Sequence, residues 1–357
     1  RLLLNRLLQK IIESRAMPMR PRLTAPVADL RRAVRDGFKA ASIQPQDTIL
    51  LAVSGGADSL ALAAAVAFEA PKHQIKTSVV IIDHALQPGS DQVAIKALQR
   101  CQELGLQGEI RKVKVLQTGD GMEAQARNAR YEELEKARLE IGAVAILTGH
   151  SQSDQAETVL LGLTRGSGLK SIAGMAVWDP ERKLLRPMLG VQGDEIRQAC
   201  KDQGIEFWED PHNQDPSFTR VRIRELLKLM EAELGPKLTS ALAKTASIAS
   251  GAEEFLEEAA VFLEQSSRTA GNARSQSYDA KALADSHPAL RMQTLRHIAL
   301  KLGAKSLSMA QLETVSELVT NWHGQKSIPL SGITVERVNN ELVFQTNKQP
   351  KAGASCS

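Results

Sequence analysis

The sequence predicts an α/β fold on a parallel sheet, followed by a smaller, mainly helical domain. Three observations carry that expectation. Between Asp47 and Arg186 short β-branched runs alternate with helical stretches, the pattern of a parallel sheet covered on both faces. A glycine-bearing turn, Ser54-Gly55-Gly56-Ala57-Asp58-Ser59, lies directly between the first of these runs and the first helix that follows. Beyond Gly235-Pro236 the strand pattern gives way to helical periodicity. A length of 357 residues suits two domains.

In chain order, residues 1–22 begin at Arg1 and read as a poorly ordered extension. The strands expected are Thr48–Val53, Thr77–Ile82, Glu109–Val115, Val144–Thr148 and Leu184–Arg186. Helices are expected near 58–69, 91–104, 122–141 and 154–164. A helix over 218–234 closes this part, with Ile223, Leu226, Leu227 and Met230 at i, i+3, i+4, i+7 as its apolar face. The first domain is therefore placed at 23–235 and the second at 236–345, with a loose tail over 346–357. Within the second, 237–265 and 288–302 read as helices. Ser308 and Gln311 form a capping box opening a third, which ends near Trp322, and a strand or hairpin covers 332–344.

Composition narrows the function. Apolar residues are 43% and charged residues 24%, which excludes a disordered chain. No apolar run reaches the roughly 18 residues of a membrane span, so no membrane partner is expected. Aromatics at 3% argue against a stacking platform for single strands. A formal charge of +4 permits a nucleic-acid partner without announcing one. Cys101, Cys200 and Cys356 are odd in number and widely spaced, which excludes a CxxC metal or redox site and suits the cytoplasm.

The turn at 54–59 carries the strongest chemistry. Its glycines let backbone approach an anion, and the helix start behind it directs N–H groups and a positive dipole end at that anion. Ser54 and Ser59 add hydroxyls, and Asp58 is suited to Mg²⁺ beside phosphate. No GxxxxGK[ST] occurs, so this is not a Walker loop. Glu123, Arg127 and Arg130 fall at i, i+4, i+7, on the stripe continued by Leu134 and Ala137. They read either as a phosphate grip or as a structural Glu–Arg pair. Asp154 and Glu157 are one turn apart on the face opposite Ala156, Val159, Leu160 and Leu163. They would hold a cation, Mg²⁺ or a ligand ammonium, or simply complement a helix N-terminus.

The 54–59 turn resembles the PP-loop of ATP pyrophosphatases, which cleave ATP between its α and β phosphates. The run from His150 through Asp154-Gln-Ala-Glu157-Thr to Arg165-Gly-Ser-Gly168 resembles the signature of the tRNA(Ile)-lysidine synthetases in that superfamily. Further similar stretches are Asp83-His84-Ala-Leu, Glu123-Ala-Gln-Ala-Arg127-Asn-Ala-Arg130-Tyr131, Arg186-Pro187-Met188-Leu189 and Trp208 to Arg220. The likeness spans about Asp47 to Gly235 and continues more weakly to Trp322-His-Gly-Gln-Lys326. Two positions depart from it: Ser153 stands where the family has the first aspartate of D-D-Q, and Val221 where an asparagine follows the arginine.

What the resemblance implies is a PP-loop ATPase domain of the adenine nucleotide alpha-hydrolase kind. It also implies a carbon–nitrogen ligase that joins L-lysine to C2 of the wobble cytidine in the CAU anticodon of tRNA(Ile). ATP and Mg²⁺ would serve it, and a homodimer is left open. Ser54 to Ser59 with Asp83 and His84 would bind the nucleotide, and Asp58 the metal. Asp58, Arg127, Arg130 and His150 would be catalytic. Glu123, Asp154, Glu157 and Arg165 would meet lysine or cytidine, and Arg220 and Arg224 the tRNA. Plain alternatives stand beside four of these: strand-end hydrogen bonding for His84, a helix C-cap for Arg165, and surface ion pairing for Arg220 and Arg224. Trp208 and Phe218 read as packing. Another tRNA-modifying PP-loop enzyme, a thiolase, or a non-catalytic nucleotide sensor are the competing readings.

Overall fold

A computed structural model describes residues 23–83, 89–113, 122–165, 168–209, 215 and 219–347. The expected extension 1–22, His84, Phe218 and the tail from 348 lie outside the described residues, as do the side chains of Glu123 and Arg165. The chain divides into Arg1–Ile248 and Ala249–Ser357. The division falls inside a helix, whereas the Gly-Pro punctuation at 235–236 marks only the break between two helices.

The first unit holds β1 (Thr48–Val53), β2 (Lys76–Asp83), β3 (Gly108–Lys112), β4 (Ala145–Thr148), β5 (Trp178–Asp179) and β6 (Leu184–Leu185). They form one sheet in the order β3-β2-β1-β4-β6-β5. Neighbours are parallel except β5 against β6. The central strand β1 shows why it is central. Its successive side chains alternate between two cores, Ile49, Leu51 and Val53 on one face and Leu50 and Ala52 on the other. Each fully buried Leu or Ile there contributes about 1.5–3 kcal/mol.

Helix α1 (Ala25–Ala40), α2 (Ala57–Glu69), α3 (Ser90–Glu103), α4 (Met122–Glu140), α5 (Gln152–Arg165), α6 (Leu169–Ile172), α7 (Gly193–Asp202) and α8 (Thr219–Leu234) complete the unit, with the first part of α9 (Leu238–Ser267). The alanine-rich α2 is buried along most of its length, because small side chains let it lie between the sheet, α1 and α7. Helices α1 and α7 go beyond the elements expected from sequence. The apolar face of α1, Val27, Leu30, Val34 and Phe38, is interrupted by Arg31, Arg32 and Arg35. Helix α7 announces itself only by the capping box of Gln192 and Glu195.

Two helices keep the face their apolar spacing suggests, each with one leucine turned out of it. On α8 Val221 and Leu227 are buried, while Leu226 is exposed. On α5 Ala156 and Val159 are buried as expected, but Leu163 is 55% exposed and Glu157 only 1%. The two helices are joined there by one polar contact: Arg224 Nε of α8 donates to Glu157 Oε1 at 2.8 Å. A carboxylate inside the fold needs such a partner more than a leucine needs cover.

The second unit has an antiparallel sheet ordered β7-β8-β11-β10-β9, from β7 (Arg268–Gly271), β8 (Ser275–Asp279), β9 (Ile328–Leu330), β10 (Ile333–Val338) and β11 (Glu341–Thr346). Helices α10 (Ala280–Asp285), α11 (Pro288–Lys301) and α12 (Met309–Thr320) pack with it around Tyr278, Leu295, Ile298, Val315, Val335 and Phe344. The expected Ser308–Gln311 box caps α12 reciprocally. The hairpin expected over 332–344 is β10–β11, turning at Asn339 with φ 54°. The unit carries more strand than that hairpin. Strand β8 is spelled Ser-Gln-Ser-Tyr-Asp, polar enough to pass for a loop, yet Gln276 and Tyr278 point inward. There the Tyr278 hydroxyl donates to the buried Glu264 at 3.1 Å.

Candidate functional site

The turn at 54–59 leaves the carboxyl end of β1 and enters α2, the edge of a parallel sheet where ligands sit. Gly55 has φ +87°, a conformation that disfavours any side chain. Gly56 occupies the N-cap without a side-chain cap, so the first amides of α2 remain available to an anion. The loop is braced from within: Ser59 Oγ donates to Gly56 O at 2.9 Å and accepts from Ser54 N at 3.2 Å. Trp208 N donates to Gly55 O at 3.0 Å, so the 208 segment holds the loop through backbone. Gly149 closes in from β4, and a Cβ there would lie 2.9 Å from the carbonyl of Asp58 and the amide of Ser59.

An acidic side faces this loop. Burial pushes the Asp58 carboxyl up to about 6, helped by the charges of Asp154 and Glu157 and opposed by Arg197 and Arg224. Burial likewise raises Glu157, against the hydrogen bond from Arg224. Its second oxygen, Oε2, is buried without a partner. Asp154 is partly committed to its own helix, since its Oδ2 accepts from Ser151 N at 2.8 Å and Ser151 Oγ at 3.0 Å. Asp83 ends β2 at 4% exposure. Arg220 acts on Glu157 only as a charge, while Arg224 also bonds it.

A cationic side lies across from the acids. Arg130 and Ser54 line a cavity of about 60 Å³ with Ala52, Val53, Val80 and Ile82, at the carboxyl ends of β1 and β2. Burial lowers the Arg130 guanidinium, and Arg127 lowers it further. Arg127 Nη2 donates to the Tyr131 hydroxyl at 3.3 Å. His150 follows β4, its Nδ1 held 2.8 Å from Thr148 Oγ1. Burial and the guanidinium groups of Arg186, Arg127 and Arg130 depress its imidazole to about 3, despite Asp154. The ring is therefore neutral at neutral pH.

The structure thus brings Asp58, Asp154, Glu157 and Arg224 into one electrostatic group and Arg127, Arg130 and His150 into a second, the two linked by the charge of Asp154 on His150. Arg186 was read from sequence only as part of a motif. It joins the second group, a placement that follows from β6 lying beside β4 and that local spacing does not reveal.

A strand, a glycine turn without a Walker lysine, and a helix N-terminus facing acids and arginines define the class: a PP-loop nucleotide-binding protein. The PP-loop domain model matches residues 27–230, and the TilS substrate binding domain model matches 279–343. The chain is 40% identical over 304 residues to the tRNA(Ile)-lysidine synthase of Leifsonia xyli subsp. xyli, spanning 85% of this chain and 91% of that one. It is 42% identical over 321 residues to the tRNA(Ile)-lysidine synthase of Rhodococcus erythropolis, spanning 90% and 93%. The chain belongs to the tRNA(Ile)-lysidine synthase family. Among solved structures, a U34-tRNA thiolase from Methanococcus maripaludis with its [4Fe-4S] cluster shares the fold. Its TM-score is 0.53 at 15% identity, over 62% of this chain and 78% of that one.

Proposed function

We propose that the protein uses ATP to join L-lysine to C2 of the wobble cytidine in the CAU anticodon of tRNA(Ile). Membership of the family and the two-sided site together support this reading. The single observation that carries it is the juxtaposition, at one anion-binding loop, of the carboxylates Asp58, Asp154 and Glu157 and of the arginines around His150. One reaction in which phosphate leaves and a cationic amino acid arrives needs both.

In the first half-reaction the cytidine C2 oxygen attacks the α-phosphorus of ATP, the bond to the β-phosphate breaks and pyrophosphate leaves. The amides of α2 and the Ser54–Ser59 turn hold the pyrophosphate. Arg127 and Arg130 stabilise charge gathering on the transferring phosphoryl group. In the second, a lysine amine attacks C2, the C2–O bond breaks, and AMP departs with that oxygen while the amine gives up a proton. His150, neutral and fixed by Thr148, is suited to accept that proton or to contact the base. Asp154 and Glu157 receive the lysine cation, with Arg224 and Arg220 on the RNA side.

Mg²⁺ fits this donor set. Asp58 offers carboxylate oxygens beside the anion loop, its pKa raised first by burial and then by Asp154 and Glu157, against Arg197 and Arg224. Among the described residues no three acidic, histidine or cysteine side chains form a cage. That suits an ion held by one or two carboxylates and completed by substrate phosphates. Bound there, it would neutralise phosphate charge. No helix among the described residues is long and apolar enough to cross a membrane. A cytoplasmic location is part of the proposal.

The thiolase alternative has poor support in the cysteines. Cys101 and Cys200 are buried in α3 and α7, and burial pushes both thiols up to about 11, away from the thiolate such chemistry uses. Nucleoside analysis of tRNA(Ile) after incubation with protein, ATP and lysine tests the proposal. Cytidine at the wobble position should be converted only when all three are present. Unchanged cytidine would overturn the reading.

A further inference from the structure

Arg186 directly follows the short strand β6 and is 5% exposed. Its backbone is fixed by a bond from Arg186 N to Val177 O at 2.8 Å. Its Nη1 donates to Ala176 O at 2.9 Å, and its Nε is buried with no partner. Among the described residues no carboxylate bonds it, in contrast to Arg111, which grips three glutamates, and Arg138, which is forked onto Glu135. Burial lowers its guanidinium, with Arg127 and Arg182 adding to the effect and only Tyr131 and Asp179 opposing it.

A buried guanidinium costs a protein several kcal/mol, and one carbonyl bond with the charges of Tyr131 and Asp179 returns only part of that cost. A structural arginine would be paired. This one sits at the carboxyl edge of a parallel sheet, beside the strand that carries His150, and shares its field with Arg127 and Tyr131. Among the described residues none of Arg127, Arg130 and Arg186 bonds a carboxylate. The loop at 54–59 already has backbone amides for the pyrophosphate. Of the anions that remain, the lysine α-carboxylate and the adenylyl phosphate, only the phosphate gains charge as the reaction proceeds. That group carries one negative charge in the adenylated base and two once AMP is released.

We propose that Arg186 is an anion-binding residue of the reaction site, its guanidinium taking the phosphate of the adenylyl group in the adenylated cytidine and in AMP. The assignment rests on the ligase reading above, since that reading supplies the adenylyl phosphate. Its planar fork suits two phosphate oxygens, and the orphaned Nε is one of the donors left for them.

The test uses the full chain as Arg186→Met and Arg186→Lys, with AMP and inorganic pyrophosphate as separate probes of thermal unfolding. Methionine keeps the bulk and removes the charge. Arg186→Met should unfold at or above the wild-type temperature in plain buffer, because a buried unpaired charge has gone. It should lose the stabilisation by AMP and keep that by pyrophosphate. Pyrophosphate release with tRNA should fall about 10²- to 10³-fold in kcat, with the KM for ATP within about threefold, and Arg186→Lys should recover part of it. The proposal is overturned if AMP does not stabilise the wild type, or if Arg186→Met keeps the AMP shift. A lower unfolding temperature in buffer would also overturn it, since that marks a structural arginine. Should wild-type protein release no pyrophosphate with tRNA, the ligase reading fails, and the AMP and pyrophosphate shifts still decide whether Arg186 binds the phosphate.

Discussion

Asp58 carries a charge that the free protein accommodates poorly, and this has a measurable sign. Its carboxyl rises from 3.8 to about 6 on folding. The folded state therefore binds the proton more tightly between those values, and stability falls as pH rises through them. Above pH 6 the ionised group costs about 3 kcal/mol. Asp58→Asn should raise the unfolding free energy at pH 8 by up to that amount and give no advantage near pH 4, by denaturant titration at both. The same variant should release little or no pyrophosphate. A stabler and inactive protein is what a cation-binding carboxylate predicts; an unchanged one would make Asp58 an ordinary helix-start acid. At His150, with its imidazole depressed to about 3, the rate of the free enzyme should show no histidine limb between pH 5 and 8. His150→Gln should lower kcat by about 10²- to 10⁴-fold without moving the pH profile in that range.

At the scale of elements, the site depends on β4 and α5 meeting α2 and α8 closely. Gly149 is where β4 touches the helix that follows the phosphate loop. A methyl there meets backbone at 2.9 Å, which cannot swing aside as a side chain would. Gly149→Ala should cost about 1–3 kcal/mol in stability and displace the loop amides. The expected reading is a KM for ATP raised at least about tenfold in pyrophosphate-release assays. Between α5 and α8, the Glu157–Arg224 pair joins a carboxylate that is 2% exposed to a guanidinium that is 38% exposed. The rim position discounts its worth, and Arg224→Met should cost about 1–3 kcal/mol, mostly by stranding Glu157. Glu157→Gln in the same chain should return part of this in a double-mutant cycle. Asp154 is less enclosed. Asp154→Asn should raise the apparent requirement for lysine roughly 30- to 1,000-fold and spare formation of adenylated cytidine in single-turnover assays without lysine. Loss of that intermediate instead would assign Asp154 to the first half-reaction.

For the whole molecule, each of the two units has its own buried core, one around β1 and α2, the other around Tyr278 and Phe344. That supports a division of labour in which the first unit handles ATP and the second contributes to holding tRNA. Protein ending at Ile248 should still be stabilised by ATP and should lose tRNA affinity, read by filter binding over a salt series. For the full chain the logarithm of the binding constant should fall linearly with the logarithm of salt concentration, its slope reporting the phosphates contacted. Much of the first unit was legible because parallel strands buried on both faces are spelled in continuous apolar runs, as Ile49–Val53 is, and because a glycine turn between strand and helix is a local signal. The second unit was less so. Its β8 is stabilised by cross-strand partners from residues more than sixty positions away, Tyr278 opposite Leu342 among them. By itself the sequence determined the anion loop, the order of strands and helices around it, and the acidic and basic residues brought near it. Only the tertiary structure decided the exceptions to those faces. It turned Glu157 inward onto Arg224 and buried Arg186 with no carboxylate bonded to it among the described residues, because both outcomes depend on burial and long-range pairing, which no local spacing encodes.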